Sequence, residues 1–324
     1  MCTKVLTVVL MAMSAGLCRA RASERDGVRL DEPRLCQSFP AGSYATEVMA
    51  DAPVGYWRFN EAPGEAIGVS ATNSPTLDGL YMNNPTLGVA GVTPWDGAAN
   101  RALRVSAGSG LRVPDHALLD LTRPGAIECW FRLPAALGDN TDYPLLWKPA
   151  SSSGASGCYG FYVAMRSGAP LIQFYIDSNT SWNPLFIAGT NIALGVWHHV
   201  VGTWDGSFGN RFYLNGQLIT NYRYGDGDAS GPAVVSDTDL LLGSSTAYGW
   251  NAFAGDIDEA AVYSHALAAE RVAAHFEAAA RLPSPPQCWD GFAGIRPDQL
   301  LYRWRLQQNL PYGAPALSNG VLTL

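Results

Sequence analysis

From about residue 44 onward, apolar positions come in short alternating runs broken by glycine, proline, asparagine and aspartate. The breaks recur about every 8 to 12 residues, the spacing of a sandwich of antiparallel sheets. In 54–61, Val54, Tyr56, Arg58 and Asn60 alternate with Trp57, Phe59 and Glu61, which predicts a first strand. In 126–133, Ile127, Cys129 and Phe131 share one face and Trp130 takes the other. Further strands are predicted at 80–81, 87–89, 103–105, 111–113, 143–148, 159–165, 171–177, 185–187, 239–243 and 256–263. The most regular stretch is 197–216: a strand to Trp204, an Asp205-Gly206 turn, a strand over 211–214 and the pair Asn215-Gly216. Asp-Gly and Asn-Gly accept the positive φ that tight reversals require, so this reads as a hairpin. Residues 44–51 read as a short helical or turn segment stopped by Pro53, and clear helical character is confined to 264–281. In the latter Leu267, Val272 and Phe276 share a side, Glu270 and Glu277 face water, and the helix is expected to pack across one edge of the sandwich. The fold class predicted is all-β, a two-sheet antiparallel β-sandwich with one short C-terminal helix.

Composition supports this reading. Apolar residues make up 48% and charged residues 15% of 324, with 34 glycines and 21 prolines, which favours short strands over long helices. The formal charge of −7 has no basic cluster within it, so no nucleic acid partner is expected. At the N-terminus Lys4 precedes an apolar run, 5–17, and Ala20-Arg21-Ala22 precedes Ser23. This is the pattern of a secretory signal peptide over 1–22, the run being shorter than the roughly 20 residues of a membrane helix. A lipoprotein reading at Cys18 is weaker because of the bulky Leu17. No later stretch is apolar enough to span a bilayer, and the protein is expected to be secreted. Residues 23–43 read as a flexible leader, 44–281 as the folded domain, and 282–324, opened by Pro283, Pro285 and Pro286, as a linker or tail or the start of a second module. The exported chain keeps Cys36, Cys129, Cys158 and Cys288. Of the three pairings possible, Cys36 with Cys288 and Cys129 with Cys158 is preferred; the alternative makes Cys129 and Cys158 small buried hydrophobes.

The run Trp-x-His-Val, Asp-Gly, Tyr-x-Asn-Gly in 197–216, together with Phe253-Ala-Gly-Asp-Ile-Asp-Glu and the later Val262-Tyr263, resembles the hallmark of the laminin-G-like branch of the concanavalin A-like lectin/glucanase superfamily. The aromatic opening strand and the turn at 116–121 are similar to those of the same family, so the resemblance covers about 44–281 and implies a jelly roll. It also implies a structural calcium between first and last strands. The aligned aspartate is Asp258, with partners around Asn60 and Glu61 and with Asp78 as a loop candidate, all hard oxygen ligands. Otherwise Asp258 caps a turn or satisfies backbone amides, and Asp256 is expected to be solvated.

Glycosidases of this scaffold carry two or three carboxylates on alternate positions of one strand. Here Asp256 and Asp258 share a predicted face, with Glu259 opposite, and there is no such glutamate pair. His116, His198, His199, His265 and His275 accompany no Gly-x-Ser-x-Gly elbow, and His199 reads as a packed or hydrogen-bonded structural residue. Trp57, Trp130, Trp147, Trp197 and Trp204 lie in strands and are assigned to structure. Loop aromatics beside amides suit sugar stacking: Trp182 with Asn183, Tyr224, and Tyr248 and Trp250 with Asn251. Asn179-Thr180-Ser181 is a glycosylation sequon, and Asp226, Asp228, Asp237 and Asp239 surround a glycine-rich loop. The function expected is a secreted, non-catalytic module binding glycan or an extracellular protein with calcium. The alternatives are a protein-interaction module of a surface or shell, and a polysaccharide-degrading enzyme.

Overall fold

The computed structural model describes residues 43–72, 77–93, 100–106, 108–122, 124–135, 137–138, 141–150, 157–176, 185–186, 192–205, 210–220, 234–243, 252–280, 316–318 and 321–323. The chain divides into two compact units, Met1–Arg281 and Leu282–Leu324. In the second, the described residues form a small antiparallel hairpin of Ala316–Ser318 with Val321–Thr323.

In the first unit two antiparallel sheets face each other, each of eight strands among the described residues. The first sheet runs in the spatial order β14 (Gln217–Leu218), β13 (Arg211–Leu214), β12 (Trp197–Trp204), β7 (Gly125–Arg132), β16 (Gly255–Tyr263), β5 (Arg101–Val105) and β4 (Thr86–Ala90), with β1 (Gly55–Trp57) also on β16. The second runs β11 (Leu185–Phe186), β10 (Ala169–Ile176), β9 (Gly157–Arg166), β8 (Thr141–Pro149), β15 (Leu240–Leu242), β6 (Gly110–Val113), β3 (Gly79–Met82) and β2 (Ile67–Gly68). Alternation sorts each strand as the pleat requires. Ile127, Cys129 and Phe131 of β7 enter the core between the sheets. Phe161 and Phe174 from the second sheet meet Phe212 and Trp204 from the first there, as tilted, edge-on or stacked ring pairs. Gly202 lies directly under the Phe174 ring, where a Cβ would collide.

β16 organises the first sheet. Its first half pairs with β5 and its second half with β1, so those two strands lie end to end along one side of it while β7 runs along the other. Where the partner changes, the register with β7 shifts between Asp258 and Ala261, and Glu259 takes a left-handed φ of 49°. This is a β-bulge, and it places two consecutive residues on one face. Asp258 and Glu259 therefore both turn to the outer face, not to opposite faces as strict alternation predicts. The first strand is likewise shorter than its pattern suggests: it ends at Trp57, and Phe59 has a φ of 55°.

Helix α1 (Tyr44–Ala50) starts at Ser43, whose Oγ accepts from the Thr46 amide. Helix α2 (Ala269–Ala280) buries Val272, His275, Ala278 and Ala279 and leaves Glu270 and Glu277 exposed. Both pack on the outer face of the first sheet, where Tyr44, Val48, Val272 and Ala279 share a cluster with Ala126, Trp130, Val201, Tyr213 and Tyr263. The expected position on a sandwich edge is thus corrected: the outward side chains Ala126, Trp130 and Val201 make that face apolar enough to need a cover. Cys129 sits in this first sheet and Cys158 in the second, and no disulfide joins them. Cys129 points into the core, while the Cys158 thiol donates to the Pro149 carbonyl at 3.5 Å. The preferred Cys129–Cys158 pairing is therefore replaced by the buried-hydrophobe alternative. Cys36 and Cys288 lie outside the described residues. No helix among the described residues is long and apolar enough to cross a membrane.

Candidate functional site

The outer face of the first sheet concentrates the ionisable groups of the domain. Four carboxylates on it, Glu128, Asp256, Asp258 and Glu259, are fully buried. Each has both oxygens engaged by protein donors. Glu128 Oε1 accepts from the hydroxyls of Tyr263 (2.9 Å) and Tyr44 (3.2 Å), and Oε2 lies 2.9 Å from His275 Nδ1 and 3.7 Å from His199 Nε2. The other ring nitrogen of His275 reaches Asp51 Oδ2 at 2.8 Å, and Arg271 closes the group by donating to Asp51 and Glu47. Burial opposes charge on both Glu128 and His275, but each outweighs that cost for the other. His275, with His199 beside it, holds the Glu128 carboxyl well below the usual range, and Glu128 and Asp51 raise the His275 imidazole above its usual value. Burial lowers His199 instead, which keeps it neutral.

At the bulge, Glu259 accepts from the Arg58 guanidinium at 2.9 and 3.1 Å, from Asn100 Nδ2 at 3.0 Å and from the Tyr56 hydroxyl. Asp258 accepts from the amides of Val92 (2.8 Å) and Glu259 (2.9 Å). Burial, with the Glu259 charge alongside, pushes the Asp258 carboxyl well above the usual carboxylate range. The remaining members of the expected calcium set are similarly placed. Glu61 accepts from the Val69 amide (2.7 Å) and the Tyr81 hydroxyl (2.8 Å), Asn60 Oδ1 from the Arg101 amide (2.6 Å), and Asp78 from the Ser70 amide (2.9 Å). N–H and O–H donors thus already engage both oxygens of Asp258 and of Glu61, Asn60 Oδ1 and Asp78 Oδ1. Among the described residues no three His, Cys, Asp or Glu side chains form a metal-holding group.

Asp256 is not solvated, contrary to expectation. It is sandwiched between Arg104, which donates to both oxygens at 2.6 and 3.1 Å, and Arg132, which donates twice to Oδ2 at 2.6 and 2.9 Å. Arg132 in turn lies over the Trp197 ring, 4.8 Å from its centroid. Sequence reading assigned Trp197 to structure and gave the two arginines no role; their only signal was that cross-strand neighbours become visible once the register is known.

The histidines of the hairpin motif do structural work. Asn215 has a φ of 53°; its Oδ1 accepts the His199 amide at 3.0 Å, its Nδ2 lies 3.2 Å from His198 Nδ1, and its own amide donates to the His199 carbonyl. On the second sheet Trp147, Tyr162 and Tyr175 form a separate aromatic cluster, with Trp147 4.7 and 5.2 Å from the two tyrosine rings. At one end of that sheet the buried Lys148 ammonium donates to Asp115 Oδ1 (2.8 Å) and to the carbonyls of Thr238 (2.7 Å) and Ser236 (3.2 Å). The loop candidates Trp182, Asn183, Tyr224, Tyr248, Trp250 and Asn251, and the sequon at Asn179, lie outside the described residues.

Two facing sheets with this hairpin and this last strand define a laminin-G-like β-sandwich. A laminin G model of the concanavalin A-like lectin/glucanases superfamily matches residues 105–273, just over half the chain, and the chain belongs to that superfamily. Over 262 residues it is 25% identical to adhesion G-protein coupled receptor D1 of Bos taurus; the alignment takes in 72% of this chain and 26% of the receptor, so the chain spans about a quarter of that relative. Among solved structures, Trypanosoma rangeli sialidase with 2,3-difluorosialic acid superposes with a TM-score of 0.51 at 13% identity, over 72% of this chain and 34% of the sialidase. The receptor binding domain of botulinum neurotoxin C/D mosaic serotype also gives 0.51 at 13% identity, over 70% of this chain and 51% of that one. At such identities these two structures speak for the fold alone.

Proposed function

We propose that this protein is a secreted, non-catalytic recognition module that holds an extracellular glycan or protein. The observation that carries the proposal is the occupancy of the sheet carboxylates. Glycoside hydrolysis needs two carboxyl groups whose oxygens can reach the substrate, at separations of roughly 5 to 10 Å. Glu128, Asp256, Asp258 and Glu259 instead spend all eight oxygens on tyrosine, histidine, arginine, asparagine and backbone donors. Glu128 is held by α1 and α2, Asp256 between two guanidiniums, Asp258 by the Val92 and Glu259 amides, and Glu259 by Arg58 and Asn100. The signal-like N-terminus and the similarity to part of an adhesion receptor support an extracellular setting.

The test is retention of the full chain on a panel of polysaccharides and matrix proteins, with release of reducing or unsaturated ends followed in parallel. Retention without product is the expected result. Product release would establish the enzyme alternative, and the absence of retention on every polymer would eliminate the glycan version. Calcium, implied by family resemblance, forms a separate arm: loss of retention in chelator, restored by added calcium, would assign the ion a role in the bound state.

A further inference from the structure

The register of the first sheet lines up five residues, one from each of five adjacent strands, in a straight row on its outer face. Thr86 on β4 pairs with Arg104 on β5, Arg104 with Asp256 on β16, Asp256 with Arg132 on β7, and Arg132 with Trp197 on β12. With neighbouring strands about 4.8 Å apart, the row spans about 19 Å. It is not sealed by the helices. The Arg104 side chain is 47% exposed and that of Arg132 23%, although the Asp256 carboxylate between them is fully buried.

We infer that this row is a binding strip for an acidic saccharide, one bearing carboxylate or sulfate groups along a chain of sugar rings. The inference deepens the recognition reading and rests on it. Two guanidiniums against one carboxylate leave the row one positive charge in excess, in a chain whose formal net charge is −7. Both guanidiniums bond Asp256 through Nε and Nη2, so each keeps its Nη1 edge outside that pair. Asp256 holds the two forks side by side, and Arg132 lies over the Trp197 ring. The exposed Thr86 at the far end extends the strip with a hydroxyl suited to a sugar hydroxyl. The row crosses β5, β16 and β7, each already paired on both sides, so no backbone is available there for an added peptide strand. Recognition must come through side chains, which suits a ligand that carries its own regularly spaced anions.

The experiment measures affinity of the full chain for heparin and polygalacturonate, with dextran as the neutral probe, in wild type, Arg104→Gln and Asp256→Asn. Wild type is expected to bind both acidic polymers, to elute as salt rises and to ignore dextran. Arg104→Gln leaves Asp256 its Arg132 partner and is expected to weaken binding about three- to tenfold. Asp256→Asn releases both guanidiniums and is expected to tighten binding by a similar factor, a change of sign that a merely structural role does not produce. Circular dichroism checks the fold of each variant, and if Asp256→Asn does not fold, Arg104→Gln decides alone. Unchanged acidic-polymer binding in Arg104→Gln overturns the strip while leaving a recognition module in place, as does binding to dextran alone. Retention only on acidic proteins, sensitive to Arg104→Gln, overturns the saccharide assignment and makes the partner a protein. No retention on any polymer or matrix protein counts against the recognition reading itself.

Discussion

At the residue scale, Glu128 and His275 form an ion pair whose side chains are both fully buried. A buried pair of this kind is weak evidence of net stabilisation, but removing one member leaves the other charged and unmatched, at a cost of about 3 to 5 kcal/mol. His275→Ala is therefore expected to lower the unfolding free energy by that order, measured by denaturant titration near pH 6. The pH dependence follows from the shifts. The His275 imidazole is raised above its usual 6.5, so its contribution is complete below that pH and is lost as pH climbs through the folded value. The Glu128 carboxyl is depressed below its usual 4.5, so its contribution is complete above that pH and is lost as pH falls through the folded value. The Asp258 carboxyl, raised by burial, works across this range: the unfolded chain gives up that proton near 3.8 while the folded one keeps it, so its contribution falls as pH rises above 3.8. The Glu128–His275 pair places the stability maximum between pH 4.5 and 6.5, Asp258 tilts it toward the acid end of that window, and His275→Ala is expected to flatten the alkaline fall specifically. A profile still rising through pH 8 would contradict this assignment of protons.

At the element scale, the motif over 197–216 reads as it does because Asn215-Gly216 turns β13 into β14 while the Asn215 side chain bonds back to β12. Asn215 supplies both the left-handed backbone and the side-chain bonds to His198 and His199. Asn215→Gly keeps the first and loses the second, whereas Asn215→Ala loses both. Alanine is expected to cost about 2 to 3 kcal/mol and glycine about 1, read as the order of the two thermal midpoints. Equal losses would mean that the backbone conformation contributes nothing. The β12–β13 hairpin was legible in the sequence because turn chemistry and strand alternation are local. The two-residue strands β2 and β14 were not, since Ile67-Gly68 and Gln217-Leu218 are too short to show a period. The bulge at Asp258-Glu259 escaped for a different reason: it is set by β16 exchanging β5 for β1, a long-range event with no local mark. Most of the candidate site was hidden the same way. Arg104, Arg132, Trp197 and Asp256 are distant in sequence and become a row only through strand order, while the loop aromatics singled out by composition fall outside the described residues.

At the scale of the whole molecule, two polar ties hold parts that the apolar core alone would leave loose. One is Lys148, which binds the loop at Asp115 and the segment 236–238 to the end of β8. Lys148→Met keeps the length of the side chain but removes all three bonds, and is expected to destabilise by about 2 to 4 kcal/mol, visible as a lower urea midpoint. An unchanged midpoint would show that the carbonyls find other donors at no cost. The other tie joins α1 to α2, elements that open and close the described domain yet meet through Arg271, His275, Glu47 and Asp51. Entry and exit of the polypeptide thus lie side by side on one face. A pull applied between them would load the Arg271 and His275 contacts before any strand, peeling the helix pair away while both sheets stayed intact. Tension between these two ends would therefore uncover the Glu128 face first.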